Sequence, residues 1–183
     1  ATSKIRSSDD LHQIGTMGFR GEALASIAAV SQVTLRTRKG DQEAGISLFL
    51  VNGHCQNKEP VAMPCGTTIE ARNLFLNTPA RKKFLKSDPA EAGAVAHMLN
   101  AFALAYPEIS FHYNQDGREI LNCPAAKAYR DRVFQIFGAE LLENLLEMDE
   151  TLFHYRLRGF VSSPDALKTN RNYQYFFINR RYV

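Results

Sequence analysis

A glycine-rich stretch near the start of the chain, residues 15–27, holds the residues best suited to chemistry. Gly18 and Gly21 flank Arg20 and lead into the strong helix formers that follow Glu22. This order predicts a loop that ends in a helix N-terminus, where unpaired N–H groups and a partial positive charge favour a phosphate group. Arg20 would place a planar, charged fork beside that phosphate. A pattern as short as this, taken alone, is more often an ordinary turn with a solvated arginine.

Other polar and basic groups along the chain are suited to phosphate contacts. Thr2, Ser3 and Lys4 supply two hydroxyls and an ammonium, although most such triplets are simply solvated. The most concentrated positive patch of the chain consists of Arg81, Lys82, Lys83 and Lys86. The second half adds Arg156, Arg158, Lys168 and Arg171. These residues predict either a surface that follows a nucleic-acid backbone or solvated faces, so a nucleic-acid-binding module without catalysis is one candidate function.

The composition is that of a globular protein, since 45% of the 183 residues are hydrophobic and 22% are charged. The net charge of +3 is too small to indicate nucleic-acid binding by itself. Three scattered cysteines, Cys55, Cys65 and Cys123, predict reduced thiols in a cytosolic protein. No apolar run is long enough to span a membrane, and no signal peptide is visible. Because the sequence begins without Met and stops after an apolar run, we expect a piece of a longer protein.

Several familiar catalytic motifs are absent from the sequence. It contains no Gly-x-x-x-x-Gly-Lys-Ser/Thr loop, no His-Glu-x-x-His, no Gly-x-Ser-x-Gly and no Cys-x-x-Cys. Walker-type phosphate chemistry and metal-dependent hydrolysis built on those motifs are therefore excluded.

Hydrophobic periodicity and turn signals predict the elements that position these groups. In the first half we expect a helix over 21–30, strands over 33–36, 46–51 and 69–76, and a hairpin around Asp116–Gly117. Asp88 as N-cap and Pro89 behind it predict a second helix, which Pro107 ends. Its apolar stripe is expected to face the core, with Met98 buried; the stripe consists of Val95, Met98, Leu99, Phe102 and Tyr106.

The pattern changes beyond Cys123 and Pro124, so we expect a domain boundary that divides the chain into 1–124 and 125–183. The second part is predicted to hold an amphipathic helix stopped at Gly138, a leucine-rich turn or short helix over 141–146, and strands over 153–157 and 173–178. A polar loop over 162–172 lies between these strands and is long enough to be a contact surface.

Four ordered motifs closely resemble the MutL family of DNA mismatch-repair proteins. They are Ala1-Thr2-Ser3-Lys4-Ile5, Gly18-Phe19-Arg20-Gly21-Glu22-Ala23-Leu24-Ala25-Ser26-Ile27, Gly66-Thr67-Thr68, and Leu74-Phe75-Leu76-Asn77-Thr78-Pro79-Ala80-Arg81-Lys82-Lys83-Phe84-Leu85. The closing segment, residues 176–183, is similar to a strand in the second domain of that family. The resemblance spans essentially the whole chain and favours a nucleotide loop over an ordinary turn at Gly18–Gly21.

The resemblance implies a fragment of a GHKL-type ATPase. The implied fold is an α+β or α/β two-layer sandwich, with a mixed β-sheet on helices, followed by part of a smaller β-α domain. The implied ATP-binding residues are Thr2, Ser3 and Lys4 in the lid, Gly18, Phe19, Arg20 and Gly21 at the phosphates, Leu24 behind them, and Thr67 beneath the adenine side. In its complete form, such a protein uses ATP and Mg2+, dimerises with ATP, and couples nucleotide state to DNA and repair partners in the bacterial, nucleoid-associated cytoplasm.

The resemblance also implies that ATP hydrolysis belongs to the complete protein. The family's catalytic Glu, its Mg-binding Asn and its Asp-x-Gly-x-Gly motif would lie upstream of Ala1, and its second-domain lysine downstream of Val183. Glu22 is in the first helical turn, where a carboxylate commonly just interacts with the helix dipole. We therefore expect this fragment to be inactive alone.

Two alternatives stay open at this point. Arg81, Lys82, Lys83 and Lys86 contact DNA phosphates in one interpretation, and in the other residues 77–84 form a structural loop that supports the nucleotide pocket. In that second interpretation Pro79 starts a short helix, and Phe84 and Leu85 dock in the core. A different GHKL ATPase, gyrase-like or chaperone-like, is an alternative to the MutL family, and residues 77–84 disfavour it.

Overall fold

The computed structural model describes Gly18, residues 21–166 and residues 169–183. The chain divides into two compact units, one that ends at Leu85 and one that runs from Lys86 to Val183. Both units combine helices with antiparallel strands, so the predicted α+β class is confirmed. In these described ranges, no helix is long and apolar enough to cross a membrane.

The described part of the first unit is a four-stranded antiparallel sheet with two short helices. Its elements are α1 (Ala23–Ala29), β1 (Gln32–Arg38), β2 (Gly45–Val51), β3 (His54–Val61), β4 (Gly66–Arg72) and α2 (Pro79–Lys82). The strand order is β3-β2-β1-β4. The predicted first helix and first two strands are confirmed, whereas β4 begins earlier and ends earlier than predicted. Strand β3 was not predicted, because it is a polar edge strand whose residues are nearly all exposed and show no apolar alternation.

One face of this sheet is apolar because the register aligns the apolar residues of three strands. Val33 lies opposite Leu50 on β2 and Ala71 on β4. Leu35 lies opposite Leu48 and Ile69 in the same way. Helix α1 packs against β1 and β2, and Val33 is only 1% exposed.

In its described residues, the second unit contains two α-helices, a 3-10 helix (Pro164–Ala166) and three hairpins. Its elements are α3 (Asp88–Ala105), β5 (Phe111–Gln115), β6 (Arg118–Cys123), α4 (Tyr129–Glu143), β7 (Leu145–Leu152), β8 (Tyr155–Ser162), β9 (Phe177–Ile178) and β10 (Arg181–Tyr182). Three antiparallel pairs form, namely β5 with β6, β7 with β8, and β9 with β10. Helix α4 packs on α3 and β6, so the predicted domain boundary near residue 125 falls inside this unit. The division into 1–124 and 125–183 stays a prediction.

Helix α3 begins and ends where its local signals indicate, although the N-cap residue is Ser87 rather than Asp88. The Glu91 carboxylate reaches back and accepts a hydrogen bond of 2.9 Å from the Lys86 N–H. The helix stops at Ala105, two residues before Pro107. The predicted start of this helix near Asp88 and its end before Pro107 are therefore confirmed.

The predicted core face of α3 is wrong. Met98 is 44% exposed and Val95 is 47% exposed. The buried residues of the helix are Ala101, Ala103, Leu104 and Ala105. Helix α3 contacts α4, β5, β6 and β10, and burial on α3 does not follow the stripe of large apolar residues.

Three further predictions in the second unit need correction. The predicted turn or short helix over 141–146 is the end of α4 and the start of β7, which was not predicted. Phe153, assigned to a strand, lies in the turn between β7 and β8 with a φ of 54°. The predicted last strand over 173–178 is reduced to the two residues of β9. Gly138 interrupts α4 with a φ of 80°, which confirms the predicted stop there, although helical residues resume beyond it.

The β9–β10 hairpin is held on α3 by side chains. The two ring nitrogens of His97 lie 2.9 Å from Tyr182 Oη and 3.1 Å from Tyr175 Oη. Arg180, in the hairpin turn, forms an ion pair with Glu108 and lies 5.5 Å above the ring of Tyr106. Burial raises the pKa of the Tyr175 hydroxyl, so this group stays protonated as a hydrogen-bonding partner.

The polar centre of the second unit is Arg132, which is 0% exposed. Its Nη2 donates to the carbonyl oxygens of Pro107, Ile109 and Pro124 at 2.7, 2.8 and 3.1 Å. The guanidinium therefore ties α4 to the segments on both sides of the β5–β6 hairpin.

The three cysteines are free and differ in exposure, so we expect them to differ in reactivity toward a thiol reagent. Cys55 and Cys65 are exposed, whereas Cys123 is buried. Burial raises the pKa of the Cys123 thiol, and Arg132 offsets only part of that rise. Because the thiolate is the reactive form, we expect a thiol reagent to modify Cys55 and Cys65 rapidly and Cys123 only after denaturation. Mass spectrometry of protein labelled with and without urea measures this, and equal labelling of all three thiols in native protein would contradict it.

Candidate functional site

The predicted nucleotide loop reaches α1 through a glycine in the left-handed region. Gly21 has a φ of 67°, a conformation that glycine adopts at little cost. Glu22 follows as the N-cap residue, and its carbonyl accepts a hydrogen bond of 2.9 Å from the Ser26 N–H. The Glu22 side chain makes no cap hydrogen bond at this helix end. The positive φ of Gly21 agrees with the loop conformation that the sequence predicted before α1, and the phosphate contact itself stays a prediction.

The other predicted nucleotide contacts differ in what the structure describes. Leu24 is 40% exposed on α1, and Gly18 is exposed. Thr2, Ser3, Lys4, Phe19 and Arg20 lie outside the described residues. Their assignment to an ATP site stays a prediction.

Thr67 lies on β4 and shares a hydrogen bond with a hydroxyl on the neighbouring strand. Its Oγ1 is 2.8 Å from Oγ1 of Thr37 on β1, which also lies 3.3 Å from the carbonyl oxygen of Gly66. Side chains alternate along a strand, so Thr67 shares the apolar face with Ile69, whereas Thr68 points to the opposite face. The Thr37 partner was missed, because only the register of β1 and β4 reveals it.

The carboxyl end of α1 is held by the loop that follows β4. Asn77 Nδ2 donates to the carbonyl oxygen of Ala29 at 2.9 Å, and the Phe75 N–H donates to the carbonyl oxygen of Val30 at 2.7 Å. The sequence predicted Asn77 only as part of the loop over 77–84, and its bond to the end of α1 was missed. An amide directly before Thr78-Pro79, where α2 begins, was the available signal.

Clustered metal-ligating side chains are absent from the residues that the structure describes. Among them, no group of three or more His, Cys, Asp and Glu side chains could hold a metal ion. Magnesium prefers carboxylate oxygens and water. We therefore assign no chemical step to Mg2+ on this chain.

The basic patch at α2 is exposed. Arg81 and Lys82 lie on the helix and Lys83 is its C-cap residue. Pro79 starts this helix, as one of the two interpretations predicted. Phe84 is 86% exposed and Leu85 is 39% exposed, so their predicted docking in the core is wrong. Lys86 is exposed and belongs to the second unit.

The basic residues of the second unit are engaged more closely than those on α2. Arg156 donates two hydrogen bonds to Asp149, at 2.7 and 2.6 Å, and lowers the pKa of that carboxyl. The guanidinium carbon of Arg158 lies 4.8 Å from the ring centre of Tyr129. Arg171 is exposed, and Lys168 lies outside the described residues. The positive charge of Arg156 is therefore largely matched within its own hairpin.

Comparison with known proteins matches this chain over its whole length. A family model described as "DNA mismatch repair protein, C-terminal domain" matches residues 133–183. The DNA mismatch repair proteins MutL of Desulforamulus reducens and Shouchella clausii are 42% and 43% identical to it over 183 residues. These alignments cover 100% of this chain and 29% and 28% of the two relatives. The chain therefore spans less than a third of the length of these relatives.

Solved structures match the fold as well. The MutL ATPase domain of Aquifex aeolicus, complexed with ADP, has a TM-score of 0.76 and 30% identity, over 97% of this chain and 66% of that chain. The N-terminal domain of a DNA repair protein has a TM-score of 0.78 and 25% identity, over 93% of this chain and 57% of that chain. The fold is that of a GHKL-type ATPase domain. The chain belongs to the MutL family of DNA mismatch-repair proteins.

Proposed function

We propose that this chain is the part of a MutL-type protein that contacts ATP through α1 and β4. In the complete protein, ATP is hydrolysed, and the nucleotide state controls binding to DNA and to repair partners. The observation that carries the proposal is the left-handed Gly21 immediately before α1, within the motif that resembles the family's phosphate contact. The relative from Aquifex aeolicus, solved with ADP, supports the same nucleotide class.

Each residue of the site has a defined role in this proposal. Gly21 brings the backbone close to the phosphates, because no Cβ stands in the way. Arg20 adds a charged fork to the phosphates, and the Thr67 hydroxyl bonds to the base side of the nucleotide. The lid residues Thr2, Ser3 and Lys4, together with Gly18, Phe19 and Leu24, complete the contacts. We assign Mg2+ and the catalytic carboxylate to parts of the complete protein outside this chain.

The partners follow from the same proposal. We infer contacts with DNA, with mismatch-recognition and other repair proteins, and with a second copy during ATP-dependent dimerisation. The site of action is the bacterial cytoplasm at the nucleoid. A non-catalytic nucleic-acid module is the second candidate function, and the exposed basic residues on α2 favour it. The two functions are compatible in one protein.

Replacing Thr67 with valine in the complete protein tests the nucleotide assignment. The change keeps the shape of the side chain but removes the hydroxyl, so we expect ATP affinity to fall about tenfold, within the range for one lost hydrogen bond to a buried partner. Titration calorimetry with a non-hydrolysable ATP analogue measures the affinity. Far-ultraviolet circular dichroism checks that the fold is intact.

Two matched controls separate this role from a structural one. Thr37→Val breaks the same hydroxyl pair from β1 but leaves the Thr67 hydroxyl in place, so it should change affinity about twofold or less. Thr68→Val makes the same substitution on the opposite face of β4 and should leave affinity unchanged. Equal losses for Thr37→Val and Thr67→Val would show that the pair is structural. An unmodified protein that binds no ATP would refute the proposed function itself.

A further inference from the structure

The loop between β4 and α2 closes the carboxyl end of α1. The last carbonyls of a helix lack partners within the helix, so other groups must satisfy them. Here the Phe75 N–H donates a hydrogen bond of 2.7 Å to the Val30 carbonyl oxygen. The Asn77 side-chain amide donates one of 2.9 Å to the Ala29 carbonyl oxygen. A third bond, from Asn73 Nδ2 to Gln32 Oε1 at 2.8 Å, fixes the start of the loop on β1. The loop is thus attached to both sides of the junction between α1 and β1.

The backbone of this loop is strained where it makes these bonds. Asn73 has a φ of 54° and Phe75 a φ of 63°. A bulky residue such as phenylalanine adopts the left-handed region only when its surroundings impose it. The bonds to α1 and β1 therefore hold a loop conformation that the loop sequence alone disfavours.

The same loop continues directly into the basic helix. The Thr78 carbonyl oxygen accepts a hydrogen bond of 3.1 Å from the Lys82 N–H, and the Pro79 carbonyl oxygen accepts one of 3.1 Å from the Lys83 N–H. Asn77 immediately precedes this pair, so it lies between the carboxyl end of α1 and the amino end of α2. A displacement of α1 along its axis would move Ala29 and, through the Asn77 side chain, the start of α2.

We propose that Asn77 is a positioning residue that couples the nucleotide-facing helix α1 to the basic side chains of α2. Nucleotide binding at the start of α1 sets the position of its carboxyl end, and the Asn77–Ala29 bond passes that position to Arg81, Lys82 and Lys83. The inference rests on the proposed function, because it needs a nucleotide at α1 and DNA at α2. Coupling of this kind is reciprocal, so DNA must also strengthen nucleotide binding by the same factor.

The test measures a coupling factor in the complete protein. This factor is the DNA dissociation constant without nucleotide divided by that with a saturating non-hydrolysable ATP analogue. Coupling between sites typically changes affinity by about 5- to 150-fold. We expect Asn77→Ala to reduce the factor about fivefold, the equivalent of one side-chain hydrogen bond, while DNA affinity without nucleotide stays near its original value. Asn57→Ala, at an exposed amide on β3 in the same unit, is the control and should retain the full factor.

Hydrogen exchange in the unmodified protein gives a second readout that needs no variant to fold. Adding the ATP analogue should slow exchange at the Phe75 amide and at the Lys82 and Lys83 amides of α2, as well as in α1. Adding DNA should slow exchange at the carboxyl end of α1. Protection of α1 by nucleotide, with no change at Phe75 or α2, would overturn the inference.

The outcomes separate this inference from the proposed function. If the unmodified protein binds both ligands but shows no coupling, or if Asn77→Ala keeps the full coupling factor, the role of Asn77 is wrong and the proposed function stands. If the unmodified protein fails to bind ATP or DNA, the proposed function is wrong and the inference falls with it. A reduced coupling factor in Asn77→Ala but not in Asn57→Ala, with slower exchange at the Phe75 amide on nucleotide binding, supports the inference and the proposed function.

Discussion

Replacing Arg132 with methionine is expected to lower the free energy of unfolding by about 2 to 5 kcal/mol. The side chain is fully buried, and its Nη2 donates to three carbonyl oxygens. Pro107 keeps one bond in the variant, because its carbonyl also accepts from the Ala126 N–H at 2.8 Å. The carbonyls of Ile109 and Pro124 lose the bond that Arg132 donates, and each buried group left without a partner costs about 1 to 3 kcal/mol.

The opposing effect is the removal of a buried positive charge, which by itself favours the variant. Methionine fills a similar length with an apolar chain, so cavity formation adds little. The lost bonds to Ile109 and Pro124 should outweigh the relief of charge burial, because they join α4 to the segments beside β5 and β6. Arg132→Lys restores a donor without the planar guanidinium, so its free energy of unfolding should lie between those of the unmodified protein and of Arg132→Met.

Urea unfolding followed by circular dichroism measures these changes. Arg130→Met is the matched control, because it removes an arginine from the same helix at an exposed position and should change stability by no more than about 0.5 kcal/mol. Equal stabilities of the Arg130 and Arg132 variants would show that the three carbonyl bonds do not stabilise this unit.

Removing the three positive charges of α2 is expected to weaken DNA binding about 100-fold at 0.15 M salt, if each side chain neutralises one phosphate. The variant is Arg81→Gln, Lys82→Gln, Lys83→Gln, made in the complete protein. Its slope of log affinity against log salt should fall by about three units, one for each lost phosphate contact. The loss should be nearly the same for all DNA sequences, because phosphate contacts position a protein without reading bases.

The control for this experiment removes the same number of charges from the same unit. Lys39→Gln, Lys58→Gln, Arg72→Gln changes exposed residues, two of which already pair with Asp41 and Glu70. It should leave the salt slope within about one unit of the original. An unchanged slope in the α2 variant, together with impaired nucleotide binding, would favour a structural role for this segment instead.

The sequence predicts those parts of the fold that depend on neighbours along the chain. Glycine before a run of helix formers gave α1, and Pro89 and Pro107 bounded α3. The MutL motifs predicted the family, which the comparisons confirm. At the candidate site, the positive φ of Gly21 agrees with the predicted loop, whereas the Thr37 partner of Thr67 needed the register of distant strands.

The elements that the sequence missed depend on distant contacts. Met98 fits an apolar stripe, but the alanines of α3 are buried because α4 and β6 pack there. No sequence signal singled out Arg132, which is the polar centre of its unit because its guanidinium bonds to three carbonyls from outside its helix. No periodicity carries such information, because it arises only when separate segments meet.

The turn of the β9–β10 hairpin has a consequence for how this segment becomes ordered. The other hairpin turns with two positive φ values, Asn52-Gly53 and Asp116-Gly117, place glycine second, whereas here Arg180 takes that place with a φ of 65°. A hairpin of two-residue strands is marginal by itself, and a non-glycine residue in this conformation adds about 1 to 2 kcal/mol of cost. Arg180 also makes the contacts with Glu108 and Tyr106 on the far side of the turn. The residue that strains the turn is thus the residue that anchors it, so we expect the hairpin to take this shape only when it is docked.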